Sequence, residues 1–169
     1  MLLAVLTLQA LAACSPALNW REVRLDNTRL TVLLPCKPDR AEKTVPLGGA
    51  PTALSMVGCD AAGATFAVAV ADLGDAAKAG PVLAQWQDLT LANMKAAGAP
   101  QLLSLKLAGA ASAPAPVRVI AQGAAPDGST VSGQAAYFAQ GSQVFQVVLY
   151  AKQPNPEAAD TFFSSLKFE

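Results

Sequence analysis

The sequence predicts an α+β fold, a mainly antiparallel β-sheet with two packing helices. Three observations lead there. Short strand-like runs bounded by Gly, Pro, Asn or Asp recur along most of the chain. Only two well-signalled segments repeat apolar residues at three- and four-residue steps, one in mid-chain and one near the carboxy terminus. The 169 residues hold no fixed repeat and no composition break, and a chain of that length can build one sizeable core.

Composition narrows the function classes. Hydrophobic residues make up 53% of the chain, but much of this is alanine, and the strongly apolar stretches are too short for a membrane-spanning helix. Twelve Lys+Arg balance twelve Asp+Glu, so no basic footprint for nucleic acid is expected. The chain has no histidine, which removes Ser-His-Asp and Cys-His catalysis and every His-ligated metal site.

Taken in order, Met1 to Ala13 reads as a signal peptide: Leu2 to Ala13 is an apolar core interrupted only by Thr7 and Gln9, although no Lys or Arg precedes it. It ends in Leu11-Ala12-Ala13-Cys14, which resembles the lipobox of bacterial lipoproteins. The resemblance implies that Cys14 is acylated and becomes the first mature residue, so that two acyl chains and an N-acyl group anchor the protein to a membrane. Ser15, standing where an Asp would retain a lipoprotein at the inner membrane, resembles the outer-membrane choice of two-membraned bacteria. The competing readings are a leader cleaved without lipid, or a buried first helix with an incidental cysteine. Residues 14–19 then form the lipidated cysteine and a tether, and residues 20–169 form a single globular domain.

Within that domain Trp20–Leu25 and Arg29–Leu34 read as a hairpin about Asp26-Asn27, ended by Pro35-Cys36-Lys37-Pro38. Strands are expected over Ala41–Pro46, Thr52–Cys59 and Thr65–Ala71, with turns at Leu47–Pro51 and Asp60–Gly63 and a loop over Gly74–Gly80. Pro81 opens the mid-chain helix, Gly98 stops it, and Val82, Leu83, Trp86, Leu89, Thr90, Asn93, Met94 and Ala97 recur along it at three- and four-residue steps. Gln101–Leu107 and Val117–Gln122 read as strands around a flexible loop, Ala108–Pro116. After the Pro126-Asp127-Gly128 turn, Ser129–Ala139 and Gln143–Ala151 form a long hairpin. Asn155-Pro156-Glu157 starts the last helix, with Asn as cap and Pro at the first position, and Ala159, Phe162, Phe163 and Leu166 make its apolar stripe.

The LLPCKP run after an early hairpin, the mid-chain helix containing Trp86 and the FFSSLKF ending together resemble PsbP/Mog1-like domains over about Trp20 to Phe168. That resemblance implies an α/β/α sandwich of a kind common in small envelope lipoproteins, with no shared activity.

No catalytic residue, cofactor-binding residue or metal site is expected, and no cofactor. Ser164-Ser165-Leu166-Lys167 has the Ser-x-x-Lys spacing of penicillin-binding enzymes but neither companion motif, so it reads as ordinary helix surface. The cations between Arg21 and Lys43 are interleaved with Glu22, Asp26, Asp39 and Glu42 and read as a mixed solvated face. Trp20, Trp86, Tyr137 and Tyr150 either pack the core or line a cleft. Export puts Cys36 and Cys59 in an oxidising compartment, at the ends of two strand-like runs, where a disulfide is expected; two separately buried thiols are the alternative. The expected function is that of a lipid-anchored cell-envelope protein on the outer membrane, facing the periplasm. It would act as a non-enzymatic binding or scaffolding module whose partners are the membrane and an envelope protein. The competing expectation is a small-molecule-binding or weakly catalytic periplasmic domain with a carboxylate- and lysine-lined cleft.

Overall fold

The computed structural model describes Ala17–Glu169; Cys14 and the leader before it lie outside the described residues. The first hairpin forms as expected, β1 (Arg21–Arg24) lying antiparallel to β2 (Leu30–Leu34) with Arg21 opposite Leu34. Asn27 takes the left-handed φ of 57° in the connecting turn, a conformation that asparagine tolerates well.

Seven strands make the larger sheet. β3 (Asp39–Leu47), β4 (Ala50–Ala61) and β5 (Ala64–Asp72) form a meander. Its turns, Gly48-Gly49 (φ 66° and 80°) and Ala62-Gly63 (φ 50° and 74°), have the doubly positive φ whose twist matches the strands they join. The chain then crosses the sheet through α1 (Ala79–Asn93) and returns from the far edge as β6 (Ala97–Ser104), β7 (Val117–Ala124), β8 (Thr130–Gln140) and β9 (Gln143–Ala151). The resulting order is β3-β4-β5-β9-β8-β7-β6, with every pairing antiparallel. After α2 (Pro156–Ser164) the chain ends in β10 (Lys167–Phe168), which pairs with β2 and completes a three-stranded sheet.

Both ends of α1 differ from the sequence expectation. The Asp75 carboxylate accepts the Ala77 N–H at 2.9 Å and caps a 3-10 turn, Ala76–Lys78, that leads directly into the helix. The helix therefore begins at Ala79, and Pro81 sits in its first turn, where an N–H has no helical partner to lose. At the other end Lys95, not Gly98, takes the left-handed position, at φ 51°. The Lys95 N–H reaches Ala92 O and the Ala96 N–H reaches Leu91 O, both at 3.0 Å, the two bonds of a Schellman close. Gly98, at φ 73°, serves instead the irregularity between Ala97 and Gln101 that lets β6 start almost directly after the helix, ahead of the expected 101–107. The last helix starts as expected, Asn155 Oδ1 accepting the Ala158 N–H at 3.0 Å with Pro156 at the first position.

The two faces of the large sheet bury different partners. Phe66, Phe138, Phe145 and Val147 face α2 and the small sheet, meeting Leu30, Val32, Phe162 and Phe163. Phe138 stacks on Phe145 with centroids 5.2 Å apart, and Phe66 meets Phe162 edge-on, also at 5.2 Å. Each such fully buried ring contributes roughly 1.5–3 kcal/mol by burial. The alternate residues Ala69, Ala71, Ala135, Tyr137 and Val144 face α1, packing against Val82, Leu83 and Trp86. One helix thus lies on each face, and the strand alternation separates their cores.

The register also sorts the loops into two ends. The β4–β5 turn, the chain after β9 and the start of β8 meet where Ala64 and Ser132 both pair with Ala151. Leu18, at the start of the described chain, packs at that end beside Ala61, Ala62, Gln153 and Asn155. The Gly48-Gly49 turn and the start of α1 lie at the opposite end, where Asp72 pairs with Gln143.

Candidate functional site

A groove runs along one flank of α1, between the helix and the β3–β4 hairpin. Its origin is the small-residue chemistry of the contact. At the start of α1, Val82 presses onto Gly48 so closely that a Cβ there would lie 2.8 Å from Val82 Cγ2, and Gln85 Oε1 accepts the Gly48 N–H at 2.8 Å. At the end of α1, Met94 O accepts the Ala124 N–H at 2.9 Å, directly over Gly123. The first contact joins α1 to the β3–β4 turn and the second joins its end to β7.

Two cavities flank the Gly48–Val82 contact, one on each side along α1. One of about 730 Å³ is lined by Gly49 to Ala53, Leu73, Lys78, Pro81 and Val82. The next, of about 480 Å³, is lined by Val45, Leu54, Trp86, Leu89, Met94 and Tyr150, and both share Leu47. This arrangement corrects the expectation for Leu89, which is 44% exposed on the groove wall. Its spacing matched the buried positions, but α1 covers only part of the sheet face.

The groove floor carries a polar network. Gln146 Nε2 donates to Thr90 Oγ1 at 2.7 Å and to the Tyr137 hydroxyl at 3.1 Å, while Thr90 Oγ1 donates to the Trp86 carbonyl at 2.8 Å. Burial pushes the Tyr137 hydroxyl pKa up, and burial with the nearby Tyr137 pushes that of Tyr150 up to about 12. Both phenols are therefore neutral donors at ordinary pH. Ionisable groups reach the groove at its far end, where Asp72 and Lys78 line it. Asp72 is held below the usual carboxylate range by the Gly74 N–H and the Ser142 hydroxyl, so it is an occupied acceptor.

The other singled-out residues are distributed elsewhere. Cys36 and Cys59 form a disulfide, Cα atoms 6.0 Å apart, joining the β2–β3 connection to β4. Trp86 and Tyr150 line the groove and Tyr137 lies beneath it, whereas Trp20 packs edge-on against Phe66 on the opposite face. Ser164 Oγ donates to Thr161 O, and Lys167 pairs with Glu22 and Glu169 at 3.0 and 2.9 Å, so the two ends of the Ser-x-x-Lys spacing hold separate contacts. Arg40 bonds Asp26 at 2.9 Å beside a smaller pocket of about 290 Å³, an exposed ion pair of the mixed-charge face. Among the described residues no group of three His, Cys, Asp or Glu side chains is placed to hold a metal ion. The groove itself left no signature in the sequence beyond Gly48-Gly49 and the unneeded apolar width of α1, because it is a place where packing stops.

No protein-family model matches the chain, and no curated protein matches it. Among solved structures it is similar to a Pseudomonas aeruginosa protein of unknown function, at 14% identity over 78% of this chain and 82% of that one. The TM-score of 0.34 is too low for that likeness to bear on fold or function.

Proposed function

We propose that the protein is a lipid-anchored component of the bacterial cell envelope whose domain, residues 20–169, is a binding module. The observation that carries binding over catalysis is the groove lining: walls that mix apolar residues with the uncharged Thr52, Gln85 and Asn93, neutral phenols and an already hydrogen-bonded floor, with Asp72 and Lys78 confined to one end. A carboxylate- and lysine-lined catalytic cleft would need more than those two groups converging on one point.

The anchor is supported by Leu11-Ala12-Ala13-Cys14 at the end of an apolar leader. The Cys36–Cys59 disulfide fits the oxidising compartment that export implies. Leu18 is already packed on the domain, and four residues reach at most about 14 Å, so the anchor would hold the Ala61–Ala64 end of the sheet close to the bilayer. Ser15 supports an outer-membrane placement, facing the periplasm, in a two-membraned bacterium. The all-antiparallel sheet with a helix on each face supports a PsbP/Mog1-like α/β/α sandwich.

Fractionation of cells producing the full chain tests this reading. The wild type should stay with membranes through high-salt washing, and Cys14→Ser should lose that resistance. Equal distribution of the two proteins would overturn the anchor.

A further inference from the structure

We propose that β6 is a self-association edge, along which two copies of the chain pair antiparallel about Leu103 and join their seven-stranded sheets into one. The two outer strands of the large sheet are built differently. β3 carries Asp39, Arg40, Glu42, Lys43 and Pro46, the kinds of residue that keep a free edge from pairing. β6 carries no charged residue, and its run Gln101-Leu102-Leu103-Ser104 is exposed throughout. Leu102 is 59% exposed and Leu103 37%, and with Leu89 beside α1 they are the large hydrophobic residues left exposed among the described residues.

The register shows which backbone groups of β6 are free. The Leu105 N–H donates to Pro116 O at 3.1 Å, and Leu103 and Gln101 follow at alternate positions, opposite Arg118 and Ile120. Antiparallel bonds alternate along a strand, so these residues turn N–H and C=O toward β7. Leu102 and Ser104 turn theirs outward, where the sheet has no further strand among the described residues. Pro100, at the next outward position, has no N–H to offer.

Those groups select a second β6 as the partner. Centred on Leu103, the pairing sets Leu102 of each copy opposite Ser104 of the other, and each such pair exchanges both of its bonds. Sliding by two residues one way sets Ser104 against Pro100 and loses a donor in each copy. Sliding by two the other way carries the ladder past Ser104, where β6 ends. The side chains agree with this register. Leu103 stands beside Arg118, on the face of α2, and Leu102 beside Val119, on the face of α1. A strand that covers both leucines must be uncharged and apolar on both of its faces, which β6 is and β3 is not. In the symmetric pair Leu103 meets its own equivalent directly, and the two Leu102 side chains are diagonal neighbours. Such an isologous contact closes at two copies.

Cysteine crosslinking and mass together test the pairing on the full chain in detergent. Leu103→Cys places the new thiols opposite each other, at a Cα separation of about 4.5 Å that a disulfide can bridge. Copper-catalysed air oxidation should convert it to a covalent dimer. In Gln101→Cys the equivalent thiols lie roughly 13 Å apart along the strands and should stay unlinked. The wild type under the same oxidation controls for Cys14. Light scattering after size exclusion should give the wild type twice the protein mass of one chain. Leu103→Lys, which sets two like charges face to face, should halve that mass. Leu89→Lys, at a similarly exposed leucine beside α1, should leave it unchanged. A monomeric wild type, a dimer that survives Leu103→Lys, or equal crosslinking of Gln101→Cys and Leu103→Cys overturns the inference. A dimer that Leu89→Lys alone dissolves also overturns it and assigns the contact to the face beside α1. None of these outcomes bears on the anchor, which the pairing does not require.

Discussion

The carboxy-terminal seat of α1 depends on two glycines that should behave very differently when changed to alanine. A Cβ on Gly123 would lie 2.2 Å from Met94 O, a backbone atom already accepting the Ala124 N–H at 2.9 Å. Relief requires the helix end to lift, which breaks that bond. Overpacking of this kind costs about 1–3 kcal/mol, and the hydrogen bond adds about 1. Replacing a strand glycine returns about 0.5–1 kcal/mol of conformational entropy, so Gly123→Ala should destabilise by roughly 2 kcal/mol net. A Cβ on Gly133 would lie equally close, 2.2 Å, but to Met94 Cε, the free end of a flexible side chain, with Tyr150 Cε1 at 3.2 Å. Met94 can swing into the groove, at about 0.5–1.5 kcal/mol for an imperfect rotamer. The entropy gain offsets most of this, so Gly133→Ala should stay within about 1 kcal/mol of the wild type. Both substitutions restrict the unfolded chain alike, which leaves their difference to the folded state. Guanidinium titration followed by tryptophan fluorescence measures it, provided the slope is unchanged. A neutral Gly123→Ala, or a Gly133→Ala as costly as its neighbour, would refute the assigned seat of the helix.

Other perturbations have equally definite outcomes. Phe162 is fully buried against Phe66 and Phe163, so Phe162→Ala should cost about 3–5 kcal/mol in the same titration, and a loss under about 1 would place α2 outside the core. Cys36–Cys59 closes a loop of sequence separation 23, so reduction should lower stability by about 3 kcal/mol, and thiol titration of the unfolded, unreduced chain should find neither cysteine free. Tyr150 keeps its proton up to about 12 in the fold against 10.0 ordinarily. The folded state then binds a proton that the unfolded chain has released, so stability is intact below pH 10 and falls as pH rises from 10 toward 12. Tyr150→Phe should flatten that fall in stability curves measured across the alkaline range, and an unchanged slope would reject the burial of the phenol.

Much of the fold was legible because its signals are local. Asn155-Pro156-Glu157 fixes the start of α2 through one side chain and one ring, and Gln140-Gly141-Ser142 fixes the turn between β8 and β9. What misled was competition between equally local signals. Pro81 marks a helix start as well as any residue, but Asp75 caps the preceding 3-10 turn and carries the start upstream. Gly98 is the better left-handed residue than Lys95, but the descent of α1 onto Gly123 places the turn at Lys95. β10 is two residues long and has no periodicity to read. The site was the least legible. Thr90, Gln146 and Tyr137 are 56 and 9 positions apart, and register alone brings them together. Leu89 has the spacing of a core residue, but spacing reports a side of the helix and not how far the sheet extends beneath it.

Intact-mass measurement of the protein extracted from membranes tests the anchored binding module most directly. The expected species begins at Cys14 and carries the added mass of a diacylglyceryl group and an N-acyl chain, with residues 1–13 gone. A chain that starts elsewhere, or a Cys14 without lipid mass, would contradict it.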